Sequence, residues 1–215
     1  LDKMPTFAVG AAEFYRNQDE GWGVPVTPEP FPGDVTFSWH IIESLMKDEF
    51  DIVTCQEMLV DHAFTIPMKL LWPAPADWPR VVPVSINTVQ HPLPSAKRCY
   101  AFGQAIGRAV RSYPSEMKVL ILGTGGLSHQ LEGTRAGFIN KDFDRLCLDS
   151  LQNHPEILTG YSSEDLVELA GSQGTEILNW IAMRGALGPQ ITPIFCKYHV
   201  PISNTASAVL ALQAA

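Results

Sequence analysis

Four branched apolar residues, Val119-Leu-Ile-Leu122, run uninterrupted into Gly123-Thr-Gly-Gly126. A short apolar run closed by glycines predicts a strand covered on both faces. The glycines let the backbone turn sharply or approach a ligand closely. Ser128 and His129 follow immediately. Open α/β sheets collect their chemistry beyond the carboxyl ends of strands, and histidine titrates near neutral pH. His129 is therefore a candidate catalytic residue, with a hydrogen-bonded structural histidine as the plain alternative. A phosphate-loop reading is weaker, because no Gly-Lys-Ser/Thr ending follows and the G-x-G-x-x-G pattern is incomplete.

The chain has 215 residues, of which 46% are hydrophobic and 18% charged, which fits a folded domain with a sizeable core. A net charge of −8 without any Lys/Arg cluster argues against a nucleic-acid surface. The apolar runs are too short to span a membrane. Cys55, Cys99, Cys147 and Cys196 are scattered, with no C-x-x-C pair. Reduced thiols in a cytoplasm are expected. The chain starts at Leu1, not Met, and carries no signal-peptide pattern, so a segment upstream of Leu1 is expected.

Strand and helix patterns alternate along the chain. Pro5 to Tyr15 predicts a short strand entering a turn, and Asn17 to Asp34 a long loop. Phe37 to Phe50 predicts an amphipathic helix with Phe37, Ile41, Ile42 and Leu45 inward. Asp51 to Thr54 reads as a short strand. Val60 to Pro67 reads as a loop bearing His62 beside Asp61, which could orient the imidazole. Arg80 to Asn87 reads as a second core strand, His91 to Pro94 as an extended turn, and Ser95 to about Tyr113 as a helix. Asn140 predicts an N-cap for a helix to about Gln152, with Asp142 and Asp144 suited to the helix dipole. Ser163 opens a short helix, and Ile194–Val200 and Thr205–Leu212 read as two final strands. This alternation predicts an α/β domain, residues 1–215, with a mixed or largely parallel central sheet flanked by helices.

Two further places invite chemistry. Glu176 falls in the first turn of a helix that Ser172 can cap, and Trp180 and Met183 share its face. The helix dipole accounts for a carboxylate there, and a bound metal is the sharper alternative. Ser203 and Asn204 lie between the last two strands as neutral groups suited to a carboxylate or hydroxyl, or as an ordinary turn. His40 and His199 read as structural.

Several motifs in the same order carry a resemblance over nearly the whole chain. They are Gly123 to Leu131, Arg135 to Asp144, Gly171 to Glu176, Trp180 to Leu187, Ser203 to Ala206, Asp19 to Gly23 and Val60 to His62. Together they resemble the class III extradiol ring-cleaving dioxygenases, of the protocatechuate 4,5-dioxygenase β-subunit and gallate dioxygenase type. The resemblance implies non-haem Fe(II), held by two histidines and one glutamate, and cleavage of a carboxylated catechol by O2. It puts Glu176 in the metal-ligand role and His129 in that of the acid/base near dioxygen. It puts His62 near the substrate, and Ser203 and Asn204 at the substrate carboxylate. A small α subunit or a homo-oligomer is implied as partner.

The family's two iron-binding histidines lie in a Ser-His near the N-terminus and an Asn-Asp-His after the next strand, and neither motif is found at those places in these residues. They are expected upstream of Leu1. The alternatives are a non-catalytic homologue or interaction subunit that keeps the fold without iron, and, from the glycines alone, a nucleotide-binding enzyme.

Overall fold

The computed structural model describes residues 4–21 and 26–214, so part of the Asp19–Gly23 motif and of the expected 17–34 loop lies outside the described residues. The chain divides into two compact units.

The first unit spans Pro5–Ile86 with Ser112–Pro114. Its elements are β1 (Phe7–Gly10), β2 (Phe14–Asn17), β3 (Phe31–Pro32), α1 (Val35–Lys47), β4 (Val53–Cys55), β5 (Leu59–Val60), α2 (His62–Leu71) and β6 (Val84–Ile86). β1 is central to one sheet, parallel to β4 and antiparallel to β6. β2 is central to another, antiparallel to β3 and parallel to β5. Mixed pairing of this kind, with helices between strands, is the expected α/β class. Asp34 caps α1 by accepting from the Phe37 amide at 3.0 Å, and the expected face of Phe37, Ile41, Ile42 and Leu45 is buried. His40 meets Ser112 at 3.1 Å and the Tyr113 ring edge-on, the structural role expected of it. Tyr15, Phe31, Val60, Met68 and Trp78 form a core, with Phe31 stacked on Trp78 at 4.2 Å.

Two expectations fail in this unit. Residues 60–67 are not a loop: Asp61 accepts from the Phe64 amide at 3.3 Å and starts α2, which continues through Pro67. The N-cap chemistry and the apolar face outweigh the proline. The expected loop from Asn17 also begins and ends in strands, because β2 reaches Asn17 and β3 pairs with it.

The second unit contains Met4, Asn87–Arg111 and the described residues from Ser115 onward. Its elements are α3 (Ala96–Ser112, whose last residue falls in the first unit), α4 (Lys141–Asn153), α5 (Ser163–Ala170), α6 (Ile177–Ala186), β7 (Ile191–His199) and β8 (Ser207–Ala214). α3 packs on α6 through glycine. A Cβ on Gly103 would lie 1.9 Å from the Ala182 carbonyl oxygen, and one on Gly107 would lie 2.2 Å from that of Ala186. Asn140 caps α4 as expected, and Ser162 and Asp165 form a capping box before α5. The two expected final strands are β7 and β8, and they pair antiparallel.

The opening expectation is corrected here. Val119 to Leu122 belongs to no strand, and Leu120 is 63% exposed. An apolar run becomes a strand only where a neighbour completes its ladder. Among the described residues, none pairs with it.

Candidate functional site

The Gly123–Gly126 turn is bound to α6. Asn179 Nδ2 donates to the Thr124 carbonyl at 3.0 Å, and Trp180 Nε1 to that of Gly125 at 3.3 Å. Glu176, at the N-cap position of α6, accepts the Gly126 amide on Oε2 at 2.6 Å. The glycines make this approach possible. A Cβ on Gly123 would lie 2.9 Å from Met183 Cβ. Gly125 has φ +116°, and a Cβ there would lie 2.6 Å from Glu176 Cβ. The glycines therefore serve close packing against a helix rather than a phosphate cradle.

Gly126 also faces His129. A Cβ on it would lie 2.7 Å from Cε1 of the imidazole, 2.9 Å from Nδ1 and 3.2 Å from Cγ2 of Thr205. One glycine thus donates its amide to the Glu176 carboxylate and leaves to the His129 ring the space that a side chain would need. These two residues, 47 apart in sequence by their numbers, are brought to one turn.

His129 is 6% exposed and fixed on several sides. Its amide donates to the Ala170 carbonyl at 2.8 Å. Gly171, at φ +89°, packs so closely that a Cβ would lie 2.3 Å from the His129 carbonyl oxygen. Nδ1 lies 2.9 Å from the Leu127 carbonyl oxygen. A carbonyl only accepts, so Nδ1 carries the proton, and in the neutral ring Nε2 is left with a free lone pair.

The 203–206 turn reaches the same place. Leu127 and Ala206 exchange with Ser128 two main-chain bonds of 3.1 Å, from Leu127 N to Ala206 O and from Ala206 N to Ser128 O. His129 bridges Thr205 antiparallel. Ser203 and Asn204 are exposed at the tip of this turn, and Asn204 has φ +60°. The Asn204 amide lies near Gly137, 3.5 Å from where a Cβ would be. Glu176, His129, Ser203 and Asn204 therefore belong to one unit and one neighbourhood. His62 belongs to the other unit, at the start of α2.

Two expectations about these residues change. Ser172 does not cap the helix: its hydroxyl donates to Gln173 Oε1 at 2.7 Å, and a single 3-10 turn, Gly174–Glu176, precedes α6. Asp61 does not orient His62. The His62 ring nitrogen Nδ1 lies 2.7 Å from Glu20 Oε2, and its amide donates to Glu20 Oε1 at 2.6 Å. Asp61 is occupied as the cap of α2.

Asp144 was expected at the dipole of α4, but it is 1% exposed and does more. It accepts the Ser128 amide at 2.8 Å, the Ser128 hydroxyl at 2.7 Å and the Tyr198 hydroxyl at 2.7 Å. Burial, then the bond to Asp144, push the Tyr198 phenol above its ordinary value. No local pattern marks Glu20 or Tyr198, because each acts on a residue far away in sequence.

Among the described residues, no group of three or more His, Cys, Asp or Glu side chains is placed to hold a metal ion. Glu176 can supply one carboxylate ligand. The described residues do not by themselves compose a whole metal centre.

The α/β fold thus brings a buried histidine and a carboxylate to one glycine. The chain belongs to the aromatic ring-opening dioxygenases: the family model described as the catalytic LigB subunit of aromatic ring-opening dioxygenase matches residues 1–210. It is 41% identical over 196 residues to a gallate dioxygenase of Pseudomonas putida, covering 91% of this chain and 57% of that protein. It is 34% identical over 128 residues to a 2,3-dihydroxyphenylpropionate/2,3-dihydroxicinnamic acid 1,2-dioxygenase of Comamonas testosteroni, covering 59% of this chain and 38% of that protein. The chain thus spans 57% or less of the length of these two relatives. An uncharacterized Escherichia coli K12 protein of known crystal structure shares the fold, with TM-score 0.60 and 17% identity over 96% of this chain and 79% of that one. No helix among the described residues is long and apolar enough to cross a membrane.

Proposed function

We propose that this chain, residues 1–215 as one catalytic domain, belongs to an Fe(II)-dependent extradiol dioxygenase that opens a carboxylated catechol with O2. The substrate is of the gallate or protocatechuate type. The observation that carries the reading is Gly126, whose amide binds Glu176 and where a Cβ would collide with the His129 ring. The likeness to gallate dioxygenase supports the substrate class. The scattered free thiols fit a cytoplasmic enzyme. A small α subunit or a second copy of the chain is the proposed partner.

His129 is the acid/base. With Nδ1 tied to the Leu127 carbonyl, Nε2 is the atom that takes a proton from a phenolic hydroxyl and later returns it. The surrounding main-chain contacts hold the ring still, so little reorganisation accompanies the transfer. Ser203 and Asn204, exposed at the turn that pairs with Leu127–His129, take the substrate carboxylate. His62, held by Glu20, takes the role of the family's further active-site histidine. Glu176 is the metal ligand from this chain. Iron, when bound, would orient the ring oxygens and O2.

The test is oxygen uptake by the full gene product after anaerobic loading with Fe(II), with gallate and protocatechuate offered in turn. Uptake that matches ring-opened product is expected. A protein that binds neither iron nor catechol would overturn the reading in favour of a non-catalytic homologue.

A further inference from the structure

Asp144 is a fully buried carboxylate to which the proposed reaction gives no part. Removing a charge from water is costly unless hydrogen bonds compensate. Here three donors do, at 2.7–2.8 Å, and the start of α4 adds a favourable field. Two of the three donors belong to one residue. The carboxylate grips Ser128 by both its amide and its hydroxyl, and Ser128 immediately precedes His129. The Ser128 hydroxyl in turn accepts the Asn140 amide at 2.8 Å, which ties the same point to the cap of α4. The third donor, Tyr198, anchors the carboxylate to β7.

Resting on the acid/base reading of His129, we propose that Asp144 is a positioning residue that sets the tautomer and direction of that imidazole through Ser128. A two-point grip fixes the Ser128 backbone. The Leu127 carbonyl on one side and the His129 α-carbon on the other are then held in register. The Nδ1 bond to Leu127 depends on that register, because it spans only two residues. If Ser128 rotates, the carbonyl leaves Nδ1, and the proton can move to Nε2, where it blocks the base. Tyr198 keeps the carboxylate aimed at Ser128 while it binds.

The test is to compare Asp144→Asn and Tyr198→Phe with the unaltered full gene product. The readouts are the ring ¹⁵N shifts of His129, amide exchange at Ser128 and His129, and kcat and KM from oxygen uptake. A single Nδ1–H tautomer is expected in the unaltered protein. In Asp144→Asn, mixed tautomers, faster exchange at both amides and a fall in kcat of roughly tenfold to 10²-fold are expected, with a smaller change in KM. Tyr198→Phe should move each readout in the same direction by less. If Asp144→Asn fails to fold, Tyr198→Phe and Ser128→Ala decide the matter. Folded variants with His129 shifts and exchange like those of the unaltered protein would overturn the proposal. The ring shifts and exchange do not depend on turnover. A change in them in a protein without oxygen uptake would therefore support the positioning role while removing the dioxygenase reading.

Discussion

Nδ1 of His62 lies 2.7 Å from Oε2 of Glu20, and the other oxygen of that carboxylate accepts the His62 amide at 2.6 Å. The carboxylate binds ring and backbone together, so it fixes both the position of the imidazole and the nitrogen that carries the proton. Glu20→Ala should release His62 to rotate while Asp61 keeps α2 capped. The expected result is a loss of roughly tenfold or more in kcat/KM, with secondary structure retained. Oxygen-uptake kinetics with circular dichroism check it, and unchanged kinetics would remove His62 from the substrate site.

Gly126→Ala should disable the site with little effect elsewhere. The new methyl group would lie 2.7 Å from Cε1 of His129, closer than real contacts allow, so the ring must shift. A fall in kcat of roughly 10²-fold is expected, the scale of a misplaced acid/base. Gly160→Ala is the control, since nothing lies within 4 Å of its added Cβ. It should keep full turnover.

Gly103→Ala tests the helix contact instead of the site. Its Cβ would meet the Ala182 carbonyl oxygen at 1.9 Å, and backbone yields less readily than a side chain. A destabilisation of about 1–3 kcal/mol is expected in urea denaturation. Full stability would mean that α3 and α6 are packed less closely than described.

Buried thiols set an alkaline limit on stability. Burial pushes the Cys99 thiol from 9.0 up to about 12, with the charge of Arg98 opposing it slightly. Burial, with the Asp144 charge adding to it, also raises the Cys147 thiol. A raised value means that the folded state keeps a proton that the unfolded state loses. The stabilisation is complete below pH 9.0 and is lost as the pH rises towards about 12. Unfolding free energy should therefore fall above pH 9.0, at up to about 1.4 kcal/mol per pH unit for each such thiol. Denaturant titrations across that range, with Cys99→Ala as comparison, check it. In the variant the slope should be shallower.

Local chemistry was legible in the sequence wherever a few adjacent residues decide the outcome. Asn140 begins a helix because its side-chain oxygen reaches an amide three residues on. The face of α1 follows from its periodicity, and the existence of β7 and β8 from two apolar stretches around a turn. The motifs carrying Glu176, His129, Ser203 and Asn204 were also visible, because each is a short contiguous string.

The sequence alone determined the α/β class, the approximate starts of α1, α3, α4 and α5, and the short motifs that hold Glu176 and His129. Tertiary structure decided how they are used. The 119–122 run looks like a core strand by composition, yet strand formation depends on a neighbour that no local pattern reveals. Asp144 looks like a dipole partner, but burial and long-range donors make it a clamp on Ser128. Glu20 took the place of Asp61 beside His62 because spatial neighbours 42 residues apart, not adjacent ones, face each other. Hydrogen bonds and close packing act through distance in space, and chain order fixes that distance only within a turn or two.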